Sequence, residues 1–336
     1  MNTKNIQKLL PINVFADKSK IDNTWEKYGW QGCQVLNTDF EGNPAGPSGM
    51  KIQMKKPKDG NKYVALSMPA GMAFVPNEPI DEFLNSGLEK RMKDFDEKIK
   101  KEFKIEKITE NVSHNGLTKH WTVLTNVFQT VEDSHVKKDQ VQLGFTVRNG
   151  YNTRTSLGVD IFTWRLACEN GAWAKGVDLA GSTAFRHIGN PKSLLKQLQT
   201  TIMEVTLQWS EIMKIYNKMA RTKLTDKIAN RLWNETRNGW DINQRFFPKY
   251  FQIDLKTDIK KKQAVTLTNQ GRNVSVWESF NDMTHDLWRA QWEQNYIAKD
   301  KKGNDIERTR KPMAFDGMVS RERKLHEIIK SILFEE

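Results

Sequence analysis

The chain has 336 residues, 38% of them hydrophobic and 28% charged, with 53 Lys+Arg against 41 Asp+Glu and a formal net charge of +12. That apolar share supports a real core in one large domain or about two, so wholesale disorder and dependence on a disulfide or metal staple are excluded. No stretch approaches about 18 consecutive apolar residues, so no membrane span is expected, and the basic excess points to a polyanionic partner.

The first twenty residues hold no apolar run longer than Val14-Phe15-Ala16, which does not resemble a secretion signal. Cys33 and Cys168 are far apart in sequence and suit two reduced thiols in the cytoplasm. Residues 1–75 read as irregular: EGNPAGPSG (Glu41–Gly49) packs Gly and Pro densely enough for a loop, and short strands are expected at Met50–Met54 and Tyr63–Met68. After Pro79, the spacing of Ile80, Phe83, Leu84, Leu88, Met92, Phe95, Ile99 and Phe103 predicts an amphipathic helix.

The period then shortens to two. Residues 119–131 are rich in β-branched and aromatic types, and Val141, Leu143, Phe145 and Val147 alternate with polar residues, so Arg148 is expected to point away from a buried face. A polar loop from Asn149 to Ser156, a further strand over Leu157–Cys168 and a turn at Glu169-Asn170-Gly171 complete an antiparallel meander. Asn190-Pro191 is a helix start, and apolar spacing from Leu194 to Ala220 predicts one long amphipathic helix of thirty-odd residues, about 45 Å. A shorter helix is expected over Asp226–Arg237, and Ser275 with Glu278 form a capping box for another helix. Lys299–Lys311 reads as an exposed charged loop, followed by a final helix over Val319–Phe334. Three regions result: 1–110, 111–298 and 299–336.

No phosphate-binding GxxxxGK[ST] loop, GxGxxG turn, HExxH pair or GxSxG elbow is present, and the six histidines show no close metal-ligand pair. No cofactor or metal is expected, although a nuclease site could still be assembled from scattered carboxylates such as Asp254, Glu278 and Asp282. Charge is concentrated in residues 191–250, with 11 basic against 5 acidic side chains. The loop Arg148–Ser156 carries two guanidiniums, a tyrosine, amides and hydroxyls and no acid, which suits phosphate. Arg186 and His187 stand just before a helix start, where anions gather. Trp173 beside Lys175 near a hairpin turn could stack on a base.

Three runs, FTVRNGYNTRTSL (Phe145–Leu157), RLACENG (Arg165–Gly171) and RHIGN (Arg186–Asn190), together with VWESFNDMT (Val276–Thr284), resemble the phage/plasmid-like proteins of domain-of-unknown-function family 932 over about residues 120–295. Gly150 stands where the family has Ser, and no acid follows in that loop; this departure counts against acid-dependent chemistry there and leaves polyanion binding untouched. The family's occurrence on mobile elements implies a link to recombination or DNA protection. The expected fold is α+β, an antiparallel meander packed by a long helix with flanking helices. The expected function is non-enzymatic nucleic-acid binding, single-stranded DNA foremost, with annealing as a homo-oligomer as its narrower form. Arg148, Asn149, Tyr151, Arg154, Arg165, Trp173, Lys175, Arg186 and His187 are the expected contact residues. A metal-dependent nuclease and an interaction factor that blocks a host defence protein are the alternatives.

Overall fold

The structure, a computed structural model, describes residues 15–38, 44–55, 64–93, 102–113, 116–152, 155–166, 170–174, 184–236, 250–253, 265–289, 294–299, 305–310 and 315–334. Strands β1 (Phe15–Asp22), β2 (Trp30–Thr38), β3 (Pro44–Lys55) and β4 (Val64–Pro69) form a four-stranded antiparallel meander in that order. Part of the Gly/Pro stretch expected as a loop is therefore strand: Asn37 pairs with Gly46 and Leu36 with Pro47. Two features admit the prolines. β4 joins β3 only from Met50 onward, and the β2–β3 register shifts between Gln34 and Leu36 and between Asn37 and Thr38. A proline lacks an N–H to donate, which sheet edges and bulges tolerate.

The helical segment after Asn77 is α1 (Glu78–Glu82), a π-turn (Phe83–Gly87) and α2 (Leu88–Met92). Ile80, Phe83, Leu84, Leu88 and Met92 are all buried, as their spacing predicts; residues 94–101 lie outside the described residues.

The larger sheet contains β5 (Ile105–Ser113), β6 (Thr118–Thr130), β7 (Gln140–Gly150), β8 (Leu157–Arg165), β9 (Asn170–Ala174) and β10 (Ala184–Phe185). Its order is β10-β8-β7-β6-β5 with β9 also on β8, all antiparallel, so the predicted meander is present. Val141, Leu143, Phe145 and Val147 are buried, and so are Gln142, Thr146 and Arg148 on the opposite side of β7. The expectation that Arg148 points into solvent is overturned, because both faces of this strand are covered.

Helix α3 (Pro191–Leu207) begins as predicted: Asn190 Oδ1 accepts from the Lys192 and Ser193 amides at 2.9 and 3.1 Å, with proline in the first turn. The single long helix is instead two, since α4 (Trp209–Arg221) starts after a break at Gln208 (φ −93°, ψ 2°). The Gln208 amide closes back on Val205 O at 3.1 Å, and the Trp209 indole donates to Gly144 O at 3.1 Å. Helix α5 (Asp226–Thr236) and the short pair β11 (Phe251–Ile253) and β12 (Val265–Leu267) follow. Helix α6 (Val276–Arg289) carries the capping box in both directions: Ser275 N donates to Glu278 Oε2 at 2.7 Å, and Glu278 N to Ser275 Oγ at 3.2 Å. Ser275→Ala is expected to lower unfolding free energy by about 1 kcal/mol, read from urea denaturation midpoints.

The charged segment near the C-terminus is a hairpin and not a loop: β13 (Gln294–Lys299) pairs with β14 (Asp305–Arg310), placing Lys299 opposite Asp305 and Ala298 opposite Ile306. Helix α7 (Phe315–Phe334) ends the chain's described part. One core joins the larger sheet to α1–α7, and a satellite of Trp25, Trp30, Met68, Met72 and Phe74 lies under the smaller sheet. No described helix is long and apolar enough to cross a membrane.

Candidate functional site

The predicted contact residues divide into two groups. The first is built into the interior. Arg148 Nη1 donates to Asp160 Oδ2, and Arg323 of α7 reaches the other Asp160 oxygen at 3.2 Å. Thr146 stands opposite Asp160 in the β7–β8 register, so Arg148, two residues on, shares its face. Arg165 donates Nε and Nη2 to the two oxygens of Asp139 at 2.7 Å each, a bidentate pair in which the carboxylate is wholly buried. Ser134 Oγ at 2.6 Å and the Trp277 indole at 2.8 Å also donate to Asp139. Burial alone would raise the Asp139 pKa, but the hydrogen bonds from Arg165, Ser134 and Trp277 outweigh it and hold the carboxyl below its ordinary value.

Asn149 and Tyr151 are equally committed. Asn149 Nδ2 donates to Val75 O and Asn77 Oδ1, both at 2.8 Å, and the Tyr151 hydroxyl accepts from the Asn77 amide at 2.9 Å. The Tyr151 ring lies 5.3 Å from Phe74 and 6.2 Å from Trp30, so it fastens the smaller sheet to the larger domain and is not offered to a base. These four side chains do not converge on a solvent-facing trough, because each found a buried partner that the alternation pattern does not reveal. Trp173 sits within β9 opposite Phe162; its side chain, with Arg154 and Lys175, lies outside what is described, as do residues 167–169, where the turn was expected.

The other described members, Arg186 and His187, do share a cavity, with residues outside the predicted set. The loop after β7 and the segment before α3 line one cavity of about 730 Å³, through Asn152, Thr155 and Ser156 on one side and Arg186, His187 and Ile188 on the other. Pro69, Gly71 and Met72 close it from the end of β4, which no local sequence signal foretold. The segments are pinned by an exchange in which Ala73 N donates to His187 O at 2.7 Å while His187 Nδ1 lies 3.2 Å from Ala73 O. None of the described lining residues is acidic. Arg186 is exposed, Lys192 and Lys196 are exposed on the first two turns of α3, and no carboxylate among the described residues pairs with any of the three.

His187 is not a cation here. It is buried, and desolvation holds its pKa below the usual value against the weaker upward pull of the Ala73 carbonyl, so the ring is neutral at pH 7. The start of α3 is not an open anion seat either, since Asn190 already accepts two of its free amides. Among the described lining residues, the charge comes from Arg186, with the α3 lysines beyond it. Among the described residues no group of three or more His, Cys, Asp or Glu could hold a metal ion. Glu278 serves the capping box, Asp282 accepts from the Tyr250 hydroxyl, and Asp254 lies outside the described residues.

No curated protein and no solved structure matches the chain. A family model does, over residues 90–321, which contain the β5–β10 sheet, the paired carboxylates and the Arg186 side of the cavity. With more than two thirds of its length matched, the chain belongs to the family described as Domain of unknown function (DUF932).

Proposed function

We propose that this protein binds nucleic acid without chemical turnover, single-stranded DNA foremost, in the service of a phage or plasmid, with annealing as a homo-oligomer as the narrower form of the same activity. The observation that carries this reading is the cavity with Arg186 exposed beside it and no acid among its described lining residues, in a chain of net charge +12. A guanidinium there donates to phosphate oxygens through a planar fork, and Lys192 and Lys196 extend the positive surface along α3. Sequence tolerance follows, because phosphate contacts position a strand without reading its bases.

Fluorescence anisotropy of a labelled single strand against salt tests the reading. If about six phosphates are neutralised, the logarithmic slope is near −4, and a fourfold rise in salt weakens binding by more than about 100-fold. Arg186→Ala removes an exposed side chain and should flatten the slope by about 0.7 while weakening binding at every salt concentration. A wild-type protein that leaves single- and double-stranded DNA and RNA unbound at low salt overturns the proposal, and degradation of the probe on adding magnesium replaces it with the nuclease alternative.

A further inference from the structure

We infer that the cavity lined by Gly71, Met72, Ser156, Arg186, His187 and Ile188 is a slot for one unstacked base of the bound strand, with that nucleotide's phosphate on Arg186 at the rim; the inference rests on the nucleic-acid reading above. A bare phosphate does not suit the interior. The Ala73 carbonyl can only accept, so His187 Nδ1 carries the hydrogen and Nε2 is left as a lone-pair acceptor. Nε2 has no hydrogen-bond partner and is itself sealed from solvent, so the neutral ring offers an anion in the cavity nothing to bind.

The remaining walls point the same way. Pro69, Met72 and Ile188 supply apolar surface, and Ile188 is 64% exposed although hydrophobic. Asn152 is already engaged, donating to Thr118 Oγ1 at 3.1 Å and accepting from Thr155 N at 2.8 Å. A ligand that satisfies this set has an apolar planar body and an anionic group that stays near the surface. A nucleotide unit has both. The volume of about 730 Å³ admits one with water to spare.

Gly71 supplies a test that removes no contact. A Cβ there meets nothing within 4 Å, and the backbone is not in the left-handed region, so Gly71→Phe adds a ring at a position that lines the cavity without striking a neighbour at Cβ. The probe is a single strand bearing one 2-aminopurine, whose emission is quenched by stacking and recovers when the base leaves the stack. Wild-type protein is expected to raise emission several-fold on binding. Gly71→Phe is expected to lose that rise and to bind on the order of tenfold more weakly, with its salt slope unchanged because the phosphate contacts are intact. Ile188→Ser, at an exposed position, is the second variant and should halve the rise or more; thermal melts verify that both variants fold. Anisotropy showing wild-type binding with no emission rise, or a rise that survives Gly71→Phe, overturns the slot and leaves nucleic-acid binding standing. Absence of any binding by wild type overturns both.

Discussion

Asp139→Asn is expected to destabilise the protein by about 3–5 kcal/mol, because it leaves the Arg165 guanidinium buried beside a neutral amide. The carboxylate is inaccessible to solvent and takes two bonds from Arg165, one from Ser134 and one from Trp277, so no water replaces it. The guanidinium carbon also lies 5.6 Å from the centre of the Trp277 ring, which ties the pair to α6. Urea denaturation at pH 7 reads the loss. Adding Arg165→Leu to Asp139→Asn should recover part of it, since no charge then remains and the amide oxygen still accepts from Trp277. A double variant less stable than Asp139→Asn would show that the guanidinium is not the source of the cost.

The same site fixes a direction with pH. Asp139 has a folded pKa below its unfolded value of about 3.9, so its contribution is present above that pH and is lost as pH falls through the folded pKa. Wild-type stability should therefore fall more steeply than that of Asp139→Asn below about pH 4, and the two curves should converge.

Gly144→Ala is the second severe substitution, at about 3 kcal/mol. A Cβ at Gly144 would stand 2.0 Å from the Val123 carbonyl oxygen, which is backbone and cannot rotate aside. The close approach belongs to an irregularity in β6, where the register shifts between Leu124 and Phe128 and Thr125 Oγ1 donates across to Leu143 O at 2.7 Å. Any backbone shift that made room would also disturb the Trp209 indole bond to Gly144 O. Gly71→Ala is the control, expected within about 0.5 kcal/mol of wild type, because that Cβ meets open space. Equal denaturation midpoints for the two alanine variants would refute the assigned clash.

The sequence made the meander and the helix starts legible because those signals are local. Alternation over Val141–Val147 marks β7, Asn190-Pro191 marks the start of α3, and Ser275 with Glu278 marks the start of α6. It concealed the break at Gln208, since Leu198, Ile202, Val205, Trp209, Ile212 and Tyr216 keep one helical phase straight through it. It concealed the β13–β14 pair because its register, Lys299 opposite Asp305, runs across strands and leaves no periodic pattern along the chain. The site was half legible. Arg186 and the β7–β8 loop do meet, yet Arg148 was misread because a polar residue in an alternating strand looks solvent-facing. Its partner was visible in principle: Asp160 is the one acid among Leu157, Val159 and Ile161, and an isolated carboxylate in an apolar strand requires a buried cation.

The cavity straddles the family boundary. Pro69, Gly71 and Met72 precede residue 90, whereas Asn152, Ser156 and Arg186 follow it, and Asn149 and Tyr151 lock the two parts together through Val75, Asn77 and Phe74. A fragment trimmed to residues 90–321 would bare the Tyr151 ring and lose an entire wall. A chain that carried the matched region behind a different N-terminal segment would have a different opposite wall. Ligand preference can thus diverge by exchange of a whole segment, with no substitution in the matched region.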